Sequence, residues 1–303
     1  MLCYKRSVSP IVYIYIHMSI DLINPHEFHA VSCALRDFFQ SRNLVEVPVQ
    51  HRLSILAACE DPTTISTFEY TGSVYPLPQT GQMWLEYELL NKYDINGGYF
   101  CYSTSYRQEI NPKPGRHNLI FPMIEFELPG NIDTLERFET GLLFSLGYSP
   151  DVFALSDVIG FPGDDYKSVA DKYGVTELGH DHEELLYRDH GPVFFLKNFP
   201  FTTSPFWNMK ADFANKTAKK IDVIMSGCET IGSAERSCNK EEMRDMFYSI
   251  SDGMYAKTLF GKFGKDRVEK ELDAFLELEF KERCGGGIGV TRIIRSMKME
   301  GLL

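Results

Sequence analysis

From Pro25 to Asn43 the apolar residues Phe28, Val31, Leu35, Phe38 and Phe39 recur at helical spacing, which predicts an amphipathic helix followed by a short strand in LVEVPV. Period-two alternation takes over from residue 102 to 127. In its return half Ile120, Pro122, Ile124 and Phe126 fall on one side, and Phe121, Met123, Glu125 and Glu127 on the other. In the outgoing half Ser103, Ser105, Arg107 and Glu109 share a face, opposite Tyr102, Thr104 and Tyr106. Between the halves, NPKPGRH contains prolines and a glycine that cannot continue a ladder, and it carries Lys113, Arg116 and His117. The stretch reads as a β-hairpin with one apolar face, one chemically loaded face and a cationic loop. Guanidinium forks match phosphate oxygens and carboxylates hold divalent cations, so the loaded face suits a nucleoside triphosphate with its metal ions. A charged edge hairpin on an antiparallel sheet is the plainer alternative.

Elsewhere, residues 55 to 73 read as a Thr-rich connector. YPLPQTGQMWLEYELL opens as a strand and turns into a helix, with Gln79, Gln82 and Glu86 at the junction. Asp133 to Leu146 predicts another helix, and a helical insertion is expected around 150–190. PVFFLKNFP reads as a buried strand, and IDVIMSGCETIGSAERS as a strand ending in a polar turn. Asp266 to Arg283 predicts a helix whose apolar face is Val268, Leu272, Phe275, Leu276 and Phe280. After it, Gly285, Gly287 and Gly289 make a bare strand face against which a ligand or a helix can press, and Arg292 falls in the first turn of a helix. A cation there opposes the helix dipole, so an anion at that end would gain from both the guanidinium and the free N–H groups. A packed helix–strand crossing with a surface arginine is the alternative. Val290 breaks a dinucleotide fingerprint, and GKFGKD has neither the glycine spacing nor the hydroxyl residue of a P-loop.

The 303 residues suffice for one large domain, and 44% apolar with 24% charged residues is an ordinary globular composition. A formal net charge of −11 disfavours nonspecific binding to a polyanion, leaving any RNA contact to a local basic loop. Cys3, Cys33, Cys59, Cys101, Cys228, Cys238 and Cys284 contain no CxxC pair and read as reduced thiols, and His180-Asp181-His182 reads as a polar helix start. Residues 1–17 hold an apolar run too short to span a membrane and no cleavage site; we expect them to be an edge strand or a stretch ahead of a start at Met18, in a cytoplasmic protein.

The hairpin, the glycine strand and the GSAERS turn together resemble the class II aminoacyl-tRNA synthetases, nearest to the aspartyl/asparaginyl group and its asparagine synthetase relatives. YRQE at 106 to 109 is similar to the family's Phe-Arg-x-Glu, RHNLIFPMIEFE to the return strand of the same motif, and GGGIGVTR at 285 to 292 to the third motif. Residues 22 to 50 resemble the first motif, which builds the dimer interface in the family. The resemblance covers roughly residues 20 to 303 and implies an α+β fold with a central, mostly antiparallel sheet of about six strands flanked by helices. It also implies ATP and Mg2+ as cofactors and a homodimer.

By position, the resemblance places Arg107 on the α-phosphate, Phe121 against adenine, and His117 and Arg292 on the outer phosphates, with Glu109, Arg116 and Gly289 in the same nucleotide site. Asp222 and Glu229 would hold magnesium. Arg236 would meet the acidic or amide side chain of the amino acid, Gln82 and Glu60 its ammonium, and Glu86 an amide or incoming ammonia. Gln50 stands where the family has the first motif's proline, Ile120 replaces an acid before Phe121, and Thr291 replaces the acid before Arg292.

The resemblance implies an aminoacyl-adenylate of aspartate or asparagine. The family's N-terminal oligonucleotide-binding barrel, a small domain of roughly 100 residues, does not fit ahead of the first motif. The expectation is therefore an AMP-forming ligase making asparagine from aspartate and ammonia. The alternatives are a stand-alone core that charges tRNA or another carrier through Lys113 and Arg116, and a non-catalytic paralogue.

Overall fold

A computed structural model describes residues 22–50, 52–55, 62–109, 112–113, 116, 118–149 and 160–303. Glu60, His117 and residues 1–17 lie outside them. In chain order the elements are α1 Pro25–Ser41, β1 Leu44–Glu46, β2 Thr67–Tyr70, β3 Ser73–Pro76, α2 Gln82–Asn91, β4 Gly98–Tyr106, β5 Ile120–Pro129, α3 Ile132–Ser145, β6 Gly163–Asp165, α4 Tyr166–Tyr173, α5 His180–His190, β7 Val193–Pro200, β8 Ala211–Asp212, β9 Thr217–Met225, β10 Cys228–Glu235, α6 Lys240–Ser249, α7 Met254–Phe263, α8 Lys265–Leu276, β11 Arg283–Gly289 and α9 Val290–Met299.

The fold is α+β. Strands β4, β5, β11, β10, β9 and β7 pair antiparallel in that spatial order. The sheet is larger than the expected six, because β1 and β6 add parallel edges and β8 pairs with β9 to make nine strands. β1 is the short strand expected in LVEVPV, whereas β6 and β8, three and two residues long, are too short for alternation to mark them. The hairpin β2–β3 stands apart; its turn places Thr71 and Gly72 at positive φ, and most of its residues are exposed, so no buried face announced it.

Local chemistry fixes several boundaries. Asn24 accepts from the amides of His26 and Glu27 ahead of Pro25, the first helical residue, and Asn131 and Asn239 cap α3 and α6 in the same way. The segment 221–237 is not one strand with a polar turn. It is β9 and β10 joined through Ser226 and Gly227, both left-handed, a turn that matches strand twist. The predicted helix to Arg283 stops at Leu276: Phe280 keeps the apolar rhythm but packs edge-on to Phe275 and under the Arg283 guanidinium. Likewise the insertion near 150–190 is not wholly helical, since β6 joins the sheet edge; residues 150–159 lie outside the described part.

One core packs α1, α3 and α9 against the back of the sheet through Leu35, Phe39, Phe126, Leu142 and Ile293. Each such fully buried side chain contributes about 1.5–3 kcal/mol. A second core around Trp207, Phe247 and Phe275 holds α6, α7 and α8 together. No described helix is long and apolar enough to cross a membrane.

Candidate active site on the sheet floor

The alternation of the hairpin sets the floor. Cys101, Ser103 and Ser105 of β4 stand opposite Glu125, Met123 and Phe121 of β5, all on the face away from α1 and α3. β4 ends at Tyr106, one residue before Arg107, whose amide still donates to Leu119 O at 2.8 Å. On the next strand, Gly289, Gly287 and Gly285 pair with Met123, Glu125 and Glu127. What presses on this bare face is chiefly the floor itself: a Cβ on Gly285 would stand 2.0 Å from Glu127 Oε2, and one on Gly287 2.9 Å from Met123 Cε. The glycines let two long acidic side chains lie flat across the strand.

Glu86, Glu127, Arg236 and Arg283 form a buried network at one end of the floor. Arg236 donates from Nε and Nη2 to the two oxygens of Glu127 at 3.1 and 3.2 Å, and from Nη2 to Gly285 O at 2.9 Å. Arg283 donates from Nε and Nη2 to Glu86 Oε2 at 3.0 and 2.7 Å. Glu86 Oε1 accepts from Gln82 Nε2 at 3.1 Å and Asn208 Nδ2 at 2.7 Å, and lies 3.9 Å from Arg236 Nε. Burial pushes the Glu127 carboxyl up, against the opposing charge of Arg236. Glu125 is held by Thr80 Oγ1, by the Gly81 amide at 2.7 Å and by Ser103 Oγ at 2.5 Å. Burial raises its carboxyl too, and these donors oppose the rise.

The other end is more open and more cationic. Asp222 and Glu229 converge over Gly232, where a Cβ would lie 3.6 Å from Asp222 Oδ1 and 3.2 Å from Glu229 Oε1. Arg292 donates from Nη1 to Glu229 O at 2.6 Å, with Glu229 Oε2 3.9 Å away. Partial desolvation raises the Glu229 carboxyl, but Lys220, Arg292, Arg107 and Arg116 outweigh it and hold it below the usual carboxylate range. The Arg107 guanidinium lies 5.6 Å from the Phe121 ring centroid, so the cation and the aromatic sit together. Arg116 is turned toward α5: it donates from Nε to His180 Nδ1 at 3.0 Å, from Nη1 to Gly227 O at 3.1 Å and from Nη2 to Glu183. Glu183 also accepts the Glu229 amide at 2.7 Å. Lys113, the other described loop cation, faces Asp181 at 3.9 Å.

The structure thus brings Arg107, Phe121, Asp222, Glu229 and Arg292 to one end of the floor, and Gln82, Glu86 and Arg236 to the other. Gly289 lies where β11 passes into α9, and Glu109 just beyond β4. Lys220, Glu183, Glu125, Glu127, Arg283 and Asn208 were not among the site residues expected from sequence. Glu125, Glu127 and Lys220 had a signal, period-two spacing onto the loaded face. Arg283 had none, because its partner Glu86 is 197 residues away. No group of three or more His, Cys, Asp or Glu among the described residues could hold a metal alone. Two carboxylates fit a magnesium ion that takes its remaining ligands from phosphate and water.

The family model for tRNA synthetases class II (D, K and N) matches residues 26–300. Asparagine--tRNA ligase of Pelotomaculum thermopropionicum is 26% identical over 208 residues, 59% of this chain and 45% of that protein. Asparagine--tRNA ligase of Sorangium cellulosum is 32% identical over 117 residues, 36% of this chain and 24% of its own. The matched segments therefore span less than half of either relative. Asparaginyl-tRNA synthetase from Pyrococcus horikoshii, solved with asparaginyl-adenylate, superposes with a TM-score of 0.68 at 18% identity, covering 89% of this chain and 64% of that one. The Entamoeba histolytica asparaginyl-tRNA synthetase does so with 0.68 at 16%, covering 91% and 63%. At these identities the superpositions establish the fold.

Proposed function

Because the chain belongs to the class II tRNA synthetases (D, K and N), we propose that it activates an amino acid of the aspartate/asparagine type with ATP, releases pyrophosphate, and passes the acyl group to a carrier such as tRNA. The observation that carries this reading is the division of the floor into a cationic end and a charge-balanced end. At the cationic end, Arg107 and Arg292 complement charge that develops on the α-phosphate and the departing pyrophosphate, while Phe121 offers a face to the base. Asp222 and Glu229 would hold magnesium, which when bound neutralises the phosphates. Little covalent help is needed, since adenylation rests on placing a carboxylate in line with the α-phosphate.

At the other end the two guanidinium groups are already matched by two carboxylates. A neutral amide enters such a site without leaving a net charge, which favours asparagine over aspartate.

The second reading is the ammonia-dependent ligase that makes asparagine from aspartate. In its favour, Lys113 and Arg116, the loop cations available to an RNA end, already face Asp181 and Glu183. Amino-acid-dependent ATP–pyrophosphate exchange, followed by product analysis, separates the two. Exchange driven by asparagine, with acyl transfer requiring tRNA, is the expected result. Free asparagine formed from aspartate, ammonium and ATP without tRNA would establish the second reading, and no exchange with either amino acid would overturn both.

A further inference from the structure

Lys220 stands two residues before Asp222 on β9, opposite Ala234 where Asp222 is opposite Gly232, so both side chains rise from the same face. Its Nζ lies 3.2 Å from Asp222 Oδ2 and 4.2 Å from the centroid of the Phe199 ring, and its side chain is only 9% exposed. Burying an ammonium is costly, and here a carboxylate and an aromatic face offset that cost. The pair over Gly232 therefore carries a cation of its own before any ligand arrives. A divalent ion approaching Asp222 and Glu229 in the nucleotide-free protein meets the charge of Lys220 in contact with its first ligand, with Arg292 and Arg107 close behind. Triphosphate oxygens reverse that balance, because they add negative charge on the side facing the arginines.

We propose that Lys220 is a resident counter-cation for the Asp222–Glu229 pair, which keeps divalent metal out of the nucleotide-free protein and makes metal entry conditional on the phosphates. This rests on the assignment of that pair to the metal made under Proposed function. Lys220 is in this sense a positioning residue: it acts on the metal through Asp222.

The test is titration of the 303-residue chain with Mn2+ alone at fixed pH, following free Mn2+ by its electron paramagnetic resonance signal. The wild type should bind weakly, and adding a non-hydrolysable ATP analogue should tighten binding. Lys220→Met, which keeps an unbranched apolar stem against Phe199 and removes the charge, should tighten nucleotide-free binding by at least roughly tenfold. Lys220→Arg should stay weak. Unchanged or weaker affinity in a folded Lys220→Met overturns the proposal. If that variant does not fold, wild-type binding that is equally tight with and without the analogue overturns it instead. Adding Asp222→Asn to Lys220→Met should abolish the gain. A gain that survives would show that the metal binds elsewhere, removing the pair assignment itself, whereas an absent gain beside intact exchange activity removes only the role of Lys220.

Discussion

The two ends of the floor use the same residue types in opposite ways. In the network of Glu86, Glu127, Arg236 and Arg283 every guanidinium meets a fixed carboxylate, and no side chain is more than 2% exposed. Around Asp222 and Glu229, by contrast, Arg292 and Glu229 keep 30% and 43% of their side-chain surface, and Arg292 makes its short contact to a backbone oxygen. Full pairing in a dry site gives a rigid arrangement whose members cannot be removed singly. Partial pairing at an open site leaves cations able to exchange a protein oxygen for a phosphate oxygen. The first end is built to hold a shape, and the second to receive a charge.

The largest break in that contrast should come from Arg283→Met. It leaves Glu86 Oε2 without the two guanidinium donors that converge on it, and losing one member of a buried pair costs about 3–5 kcal/mol; denaturant unfolding would measure it, and a loss below about 1 kcal/mol would mean that Glu86 does not depend on Arg283. At the open end, Arg107→Ala should change unfolding free energy by no more than about 0.5 kcal/mol while lowering ATP–pyrophosphate exchange by roughly 10²–10³-fold. Retained exchange would place the nucleotide somewhere else. A third test sharpens what pairing does. Glu139 on α3 is as buried as Glu86, yet no guanidinium pairs with it among the described residues, and burial pushes its carboxyl up to about 8, with the Ser233 hydroxyl opposing and the charge of Glu136 adding. The folded chain therefore keeps this proton up to about pH 8, whereas the unfolded chain releases it near its ordinary 4.5. Stability should fall as pH rises through that window, by up to about 1.4 kcal/mol per unit, and level off above it. Glu139→Gln should remove this slope when unfolding free energies of the two proteins are compared at the two ends of the window; equal slopes would mean the carboxyl is already ionised in the fold.

Local rules were enough wherever the cause is local. Asn24-Pro25 starts α1, and the alternation from Ser103 to Glu127 put Phe121, Glu125 and Glu127 on the face where they stand. The rules failed where a residue keeps the rhythm of one element while packing in another. Phe280 continues the helical period of α8 but belongs to the strand approach, because its ring packs against the Arg283 guanidinium. They were also silent on the partners of Arg116, which donates to Glu183 and His180 of α5, an element whose place beside the floor nothing in the loop's own sequence encodes.

The antiparallel floor, its polar face and the family were legible in short stretches of chain, since period-two spacing and motif order are properties of contiguous residues. Which charges meet was not legible there. Glu86 and Arg283 are 197 residues apart, and Arg236 and Glu127 109. A charge's partner depends on which strands become neighbours in the sheet, and that is set by packing over the whole chain rather than by any one stretch of it.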